Sequence, residues 1–297
     1  MDLTRRKSIK GVGLAAAGLS IRGPDCSWAT YPGDRGIFLS NQMPKVKVMG
    51  IGRVGCSMLD YILKKGIEHI EVVAMSMDPG FFEGKKFPAT IILGEHLGNP
   101  PGLDGGPDLA EAYTAASVET IRSHLQGTDV GIILAGMGGV TGSGGAPVVA
   151  RITRDLGIWT IGILTLPARV EGKWRLKTAR NWLALFNSMA DMTTVIPNSA
   201  ISSSLPPGTP IINTYKNIFK QSDTIAYRAA KVFSDILLTP HLPAIDFVDI
   251  RGVFPRGLAR IGVGTAHPKD GPEMAVRQAI YSPLLEGIAL DKARSVV

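Results

Sequence analysis

Cysteine is nearly absent. Cys26 and Cys56 are the two in 297 residues, and they form no C-x-x-C pair. The five histidines (His69, His96, His124, His241 and His267) are scattered without ligand spacing. A zinc site is therefore not expected, and the cysteines read as two reduced thiols. Aromatic residues make up only 6%, and Lys and Arg are dispersed rather than massed in a basic run. The net charge of +7 thus does not point to a nucleic-acid partner. No segment is long and apolar enough to span a bilayer. The G-x-x-x-x-G-K-[ST] phosphate loop is missing as well.

The composition that remains is that of a soluble globular protein, with 45% hydrophobic and 19% charged residues. Its length allows one large or two moderate domains. The first stretch is unusual. Thr4-Arg5-Arg6-Lys7-Ser8-Ile9-Lys10 precedes a weakly apolar run from Val12 to Ile21, followed by a Gly-, Pro-, Asp- and Ser-rich segment over 22–42. Residues 1–42 read as a basic leader and linker. Their order is also that of a twin-arginine export signal, although Ser8 stands where a bulky apolar residue is usual.

Order is expected from Lys45. Val46 to Met49 alternates like a strand, and Met58, Leu59, Ile62 and Leu63 then share a helical face. Strands are expected at 71–75, 130–135, 159–165 and 193–196, with helices at 108–125, after Ala146, at 173–189 and at 214–238. The alternation predicts an α/β fold with a doubly wound, mostly parallel sheet. It is followed by a central helix and an incomplete second α+β domain. The expected units are a nucleotide-binding domain over 43–238 and a partial C-terminal domain over 239–297. The latter would hold a strand near Ala259–Gly264 and a helix near Glu273–Tyr281.

Glycine is plentiful, at 35 residues, and it clusters. Gly50-Ile-Gly52-Arg53-Val54-Gly55 is a G-x-G-x-x-G after a strand and before a helix, with Asp78 at roughly dinucleotide-fold spacing. Alone it suggests NAD. Such a loop brings backbone amides and a helix N-terminus to a phosphate. The second loop, Gly138-Gly139-Val140-Thr141-Gly142-Ser143-Gly144, is more specific, because so many glycines in one turn cost backbone entropy unless something requires them. Amides, the Thr141 and Ser143 hydroxyls and a helix dipole would meet phosphate charge there.

The run from Gly136 through Ala146-Pro147-Val148-Val149-Ala150 closely resembles the signature loop of the FtsZ/tubulin family. Glu171-Gly172 with Arg175, Ile196-Pro197-Asn198, Asp246-Phe-Val-Asp249-Ile-Arg251 and Ser282-Pro-Leu-Leu-Glu286 support it in the same order. The resemblance covers about residues 45–297. It implies that GTP or GDP, with Mg2+ carried by the nucleotide, sits on Gly138, Gly139, Val140, Thr141, Gly142, Ser143 and Gly144. Gly52, Arg53, Gly55 and Ser57 would line the first loop, and Glu171 and Arg175 the ribose and phosphates. Phe219 and Asp223 would stack on and read the base, with Thr224 as the neighbouring alternative to Asp223. Asp246 and Asp249 would be the catalytic acids, reaching the nucleotide of the next subunit in a head-to-tail assembly with itself or an intact relative.

Three departures from the family pattern stand out. Arg53 and Val54 bring side chains into a loop that is almost pure glycine in the family. Ala244 replaces an Asn. The family's further strands and adaptor-docking tail are not in the sequence, so any membrane link is expected to be indirect. The readings are a GTP-binding, GTP-hydrolysing, self-assembling cytoplasmic protein of cell division or membrane constriction, or a non-hydrolysing structural homologue. An NAD-dependent oxidoreductase is a third. An exported protein is the alternative for localisation.

Overall fold

The computed structural model describes residues 43–98, 105–206, 208–238, 257–267 and 269–285, together with the backbone of 15–21. Asp246, Asp249, Ala244 and Glu286 lie outside the described residues. The sheet contains β1 (Ala15–Ile21), β2 (Val46–Ile51), β3 (Ile70–Ser76), β4 (Thr90–Ile92), β5 (Val130–Gly136), β6 (Trp159–Leu166), β7 (Met192–Pro197) and β8 (Gly257–Gly264). Their order across it is β1-β8-β7-β6-β5-β2-β3-β4. The seven strands β2 to β8 run parallel, and β1 pairs antiparallel with β8.

Helices cover both faces, so the central strands are buried on both sides. All seven residues of β5 are buried, as expected for a parallel strand between two helical layers. Period-2 alternation divides the core. Val46, Val48, Ile132, Leu134, Ile161 and Ile163 meet α1 (Gly52–Lys65) and the long helix that crosses this face. Met49, Ile51, Ile133, Ala135 and Leu164 meet the opposite layer, built from α2 (Gly106–Ala116), α3 (Val118–Leu125), α4 (Val140–Asp155) and α5 (Lys173–Met189). After β7 come α6 (Asn198–Ser203) and the 28-residue α7 (Ile211–Leu238). The amphipathic pattern of α7 buries Ile218, Ile225, Ala229 and Phe233 against the first layer. α8 (Gly271–Ile280) packs over β8.

Most elements fall within a few residues of the expectation, but α4 begins at Val140 rather than near Ala146, so Thr141 to Gly145 form its first turns instead of a loop before it. The helix expected over 108–125 is instead two helices broken at Ser117. The Ser117 hydroxyl accepts from the Gly94 amide (2.7 Å) and donates to the Tyr113 carbonyl (3.2 Å), so a side chain competes with the helical ladder there. The apolar run read as part of a leader supplies β1. The region after α7 contributes β8 directly to the main sheet, through the register Met192 to Gly257, Thr193 to Leu258 and Thr194 to Ala259.

Candidate functional site

β2 and β5 are neighbours, and the chain leaves them toward opposite edges of the sheet. The crevice beyond their C-terminal ends is the topological switch point, where open α/β sheets hold ligands. Both glycine loops lie there. Gly52 opens α1 with φ of +69°, and a side chain on it would come within 3.0 Å of the Gly142 amide nitrogen and 3.1 Å of Thr141 Cβ. The two loops therefore touch across the crevice.

The second loop is braced from below. The Gly138 amide donates to Ser143 Oγ at 2.8 Å, and Ser143 is fully buried. Its hydroxyl thus holds the loop's shape, whereas the sequence suggested a role toward phosphate. A side chain on Gly142 would lie 2.4 Å from the Gly136 carbonyl oxygen, and one on Gly144 would lie 1.9 Å from that of Pro107. Much of the glycine clustering is therefore a packing requirement between β5, α2 and α4. Gly139 differs. Among the described residues, a Cβ there would meet only the Gly136 oxygen, at 3.9 Å. Gly139 is the N-cap of α4 and no side chain caps it. The amides of Val140, Thr141 and Gly142 begin the helix without intrahelical acceptors, and the first turn contains no acid. Open space, amide donors and a positive dipole end fit an anion such as a nucleotide phosphate.

The turn after β6 forms one wall. Glu171 Oε1 accepts from the Ala168 amide at 2.8 Å, and Oε2 pairs with Arg175 Nη1 at 3.3 Å. The Glu171 side chain is only 9% exposed. The Arg175 carbonyl oxygen lies where a side chain on Gly138 would reach it at 2.8 Å, so the Glu171–Arg175 unit adjoins the second loop.

The other wall is α7. Phe219 is 40% exposed rather than core, and it stacks on Tyr215 with centroids 6.4 Å apart at 22°. Tyr215 in turn donates to the Val170 carbonyl at 3.4 Å, linking α7 to the Glu171 turn. Asp223 Oδ2 accepts from Ser57 Oγ on α1 at 3.2 Å. Burial pushes the Asp223 carboxyl up to about 6, opposed by the Ser57 hydrogen bond and reinforced by the charge of Asp60. The Thr224 hydroxyl is engaged by the Lys220 carbonyl (2.9 Å) and the Tyr61 hydroxyl (3.2 Å). Of the two neighbours, Asp223 is the one that meets Ser57. Asn198, buried at the start of α6, accepts from Ser222 Oγ at 2.7 Å and fixes this part of α7.

The structure brings together Gly52 with Thr141 and Gly142, Gly138 with Arg175, and Ser57 with Asp223. Gly55 lies beneath the first loop, where a side chain would strike the Leu134 carbonyl at 2.1 Å. Arg53 turns to Asp78, with Nη2 to Oδ2 at 3.1 Å. The Val54 side chain lies against Gly136. Tyr215 was not foreseen as a wall residue. Its sequence signal is an aromatic placed four residues before Phe219 on one helix face.

A parallel sheet with two glycine loops at its switch point, one helix N-terminus facing open space and a helix closing the side, defines a nucleotide-binding α/β domain. The family model described as Tubulin/FtsZ family, GTPase domain matches residues 45–206, and the chain belongs to that family. Over 257 residues it is 33% identical to the cell division protein FtsZ of Aquifex aeolicus, covering 85% of this chain and 68% of that one. Cell division protein FtsZ 1 of Thermococcus kodakarensis is 34% identical over 243 residues, covering 82% and 64%. The chain thus spans about two thirds of the length of these relatives. The solved empty FtsZ dimer of M. jannaschii matches with a TM-score of 0.76 and 30% identity, covering 89% of this chain and 82% of that one.

The NAD reading is not supported by the family match. Asp78, its ribose-binding acid, is paired with Arg53 and also accepts from the Gly80 amide at 3.1 Å. The family is that of tubulin and FtsZ.

Proposed function

We propose that this chain binds GTP or GDP in the crevice between β2 and β5 and assembles head to tail with copies of itself or with an FtsZ relative. The phosphates would lie over Gly139 on the amides of Val140, Thr141 and Gly142, with Gly52 opposite. Glu171 and Arg175 would hold the ribose side, Phe219 would stack on the base, and Asp223 would accept from its N1–H and N2–H2. Mg2+ would arrive with the phosphates and neutralise their charge. Asp246 and Asp249 are the acids proposed to serve hydrolysis in the neighbouring subunit, where positioning and charge stabilisation supply most of the catalysis. A GTP-dependent role of this kind belongs in the cytoplasm, in cell division or membrane constriction.

The observation that carries this reading is the uncapped, open N-terminus of α4 at the switch point, with the Ser57–Asp223 pair on the wall. The orientation of Arg53 toward Asp78 and of Val54 toward Gly136 supports binding despite the departures in the first loop. Ala244, in place of the Asn before the first catalytic acid, favours a second reading, a non-hydrolysing structural or regulatory homologue. Titration with a fluorescent GTP analogue and magnesium, competed by GTP, ATP and NAD, tests the proposal. Competition by GTP alone is expected, and Asp246→Ala should then retain binding while losing phosphate release. Absence of binding refutes the nucleotide site. Binding without phosphate release in the wild type selects the second reading.

A further inference from the structure

Beside the Glu171 turn lies a cavity of about 570 Å3 that the nucleotide reading does not use. Arg169 enters it from the turn after β6, Arg260 from β8, and Ser199, Ser202 and Ser203 from α6. Among the described residues, no Asp or Glu lines it. Among the described residues, neither arginine has an ion-pair partner.

Arg260 is the more unusual of the two. Along β8 it alternates with buried Ala259 and Ile261, which join the core. It therefore lies on the opposite face of the sheet, toward α8. Gly262 is on the same face, where a side chain would strike the Ala279 carbonyl oxygen at 2.1 Å. Desolvation by burial pulls the Arg260 guanidinium below its ordinary pKa. A partly buried cation without a counter-charge is costly, and an anion in the cavity would remove that cost.

We propose that this cavity binds a small phosphorylated molecule, with its phosphate between Arg169 and Arg260. Guanidinium groups match phosphate oxygens in paired, charge-assisted hydrogen bonds. Serine hydroxyls supply further donors: Ser203 Oγ is turned back to the Ser199 carbonyl at 3.0 Å, whereas Ser199 and Ser202 have no hydrogen bond from their hydroxyls among the described residues. The volume falls in the range of small-molecule sites and exceeds what one phosphate fills. Val170, Pro283 and Leu284 provide apolar wall for a short carbon tail. Because Arg169 and Glu171 share one turn, occupancy here would also stiffen the wall of the nucleotide crevice.

Calorimetric titration of the full chain, with and without excess GTP, tests the site with three probes: inorganic phosphate, glycerol phosphate and glycerol. Glycerol phosphate is expected to bind with GTP present, more tightly than inorganic phosphate, and glycerol not at all. Equal affinities for the two phosphates would mean a site for free phosphate and overturn the assignment to a phosphorylated molecule. Arg169→Gln and Arg260→Gln should each weaken binding about tenfold or more. Arg169 is exposed, so its variant should melt at the wild-type temperature and serves as the test if Arg260→Gln fails to fold. No saturable binding to the wild type, or binding that survives both substitutions, overturns the proposal. The second outcome would place the anion on the glycine loops instead.

Discussion

Asp223→Asn should make the unliganded protein more stable and its nucleotide binding weaker at the same time. Burial raises the Asp223 carboxyl from 3.8 to about 6, so the folded protein holds this proton more tightly than the unfolded chain does. Stability contributed by the neutral form is complete below the unfolded value and is lost as pH rises toward the folded one. Above that window the ionised side chain costs on the order of 2 kcal/mol, after allowance for its partial exposure. The Asn variant should therefore gain about 1–2 kcal/mol at neutral pH and nothing at pH 4 or below. Binding runs the other way, because a base that donates from N1–H and N2–H2 needs the ionised carboxylate. Wild-type affinity should fall about tenfold for each pH step of one below about 6. At neutral pH the Asn variant should bind about 10- to 100-fold more weakly, through the loss of charge-assisted hydrogen bonds. Thermal melts and fluorescent-nucleotide titrations from pH 4 to 8 measure both. Protonation of the nucleotide phosphates affects both proteins, so the difference between the two binding curves isolates Asp223. Superimposable binding curves would refute the base-reading role, and a variant destabilised at neutral pH would refute the burial argument.

Other expectations separate packing from binding. Gly142→Ala forces a side chain to 2.4 Å from the Gly136 carbonyl and should cost about 3 kcal/mol or more in thermal or urea unfolding. Gly139→Ala meets nothing nearer than 3.9 Å among the described residues, so its stability should change by less than about 0.5 kcal/mol; if phosphates sit above it, its nucleotide affinity should nevertheless drop at least tenfold. Phe219→Ala should leave the melting temperature nearly unchanged while weakening nucleotide binding on the order of tenfold, the scale of one base–aromatic stack. Arg53→Ala removes an ion pair exposed on both sides and should alter stability by less than about 1 kcal/mol in the same melts.

Legibility in the sequence followed the range of the interactions. The buried run of β5 and the helix periodicity of α1 are local patterns, and both elements lie where those patterns put them. The glycine loops were equally plain, but the purpose of individual glycines was not. Gly144 is required by Pro107, and Gly142 by Gly136, and neither contact has a sequence signature. Ser143 looked like a phosphate ligand because its inward hydrogen bond to Gly138 depends on how the turn closes. The Ser57–Asp223 contact joins residues 166 positions apart and became visible only once α1 and α7 were packed on one face. The break at Ser117 depends on Gly94 arriving from another segment. Alternation of strands and helices foretold the doubly wound sheet, yet it could not show β8 hydrogen-bonded to β7.

The antiparallel pairing of β1 with β8 bears on how this protein is handled at the bench. Seven consecutive residues, Ala15 to Ile21, line up against Leu258 to Gly264, so a truncation meant to trim a leader would also unzip one side of the sheet. The β8 backbone would then present a free row of amides and carbonyls, the kind of border that recruits a strand from another chain. Preparations that begin after Ile21 should therefore be prone to associate through that border, and such clusters would be an artefact of the cut rather than the assembly proposed through the nucleotide crevice.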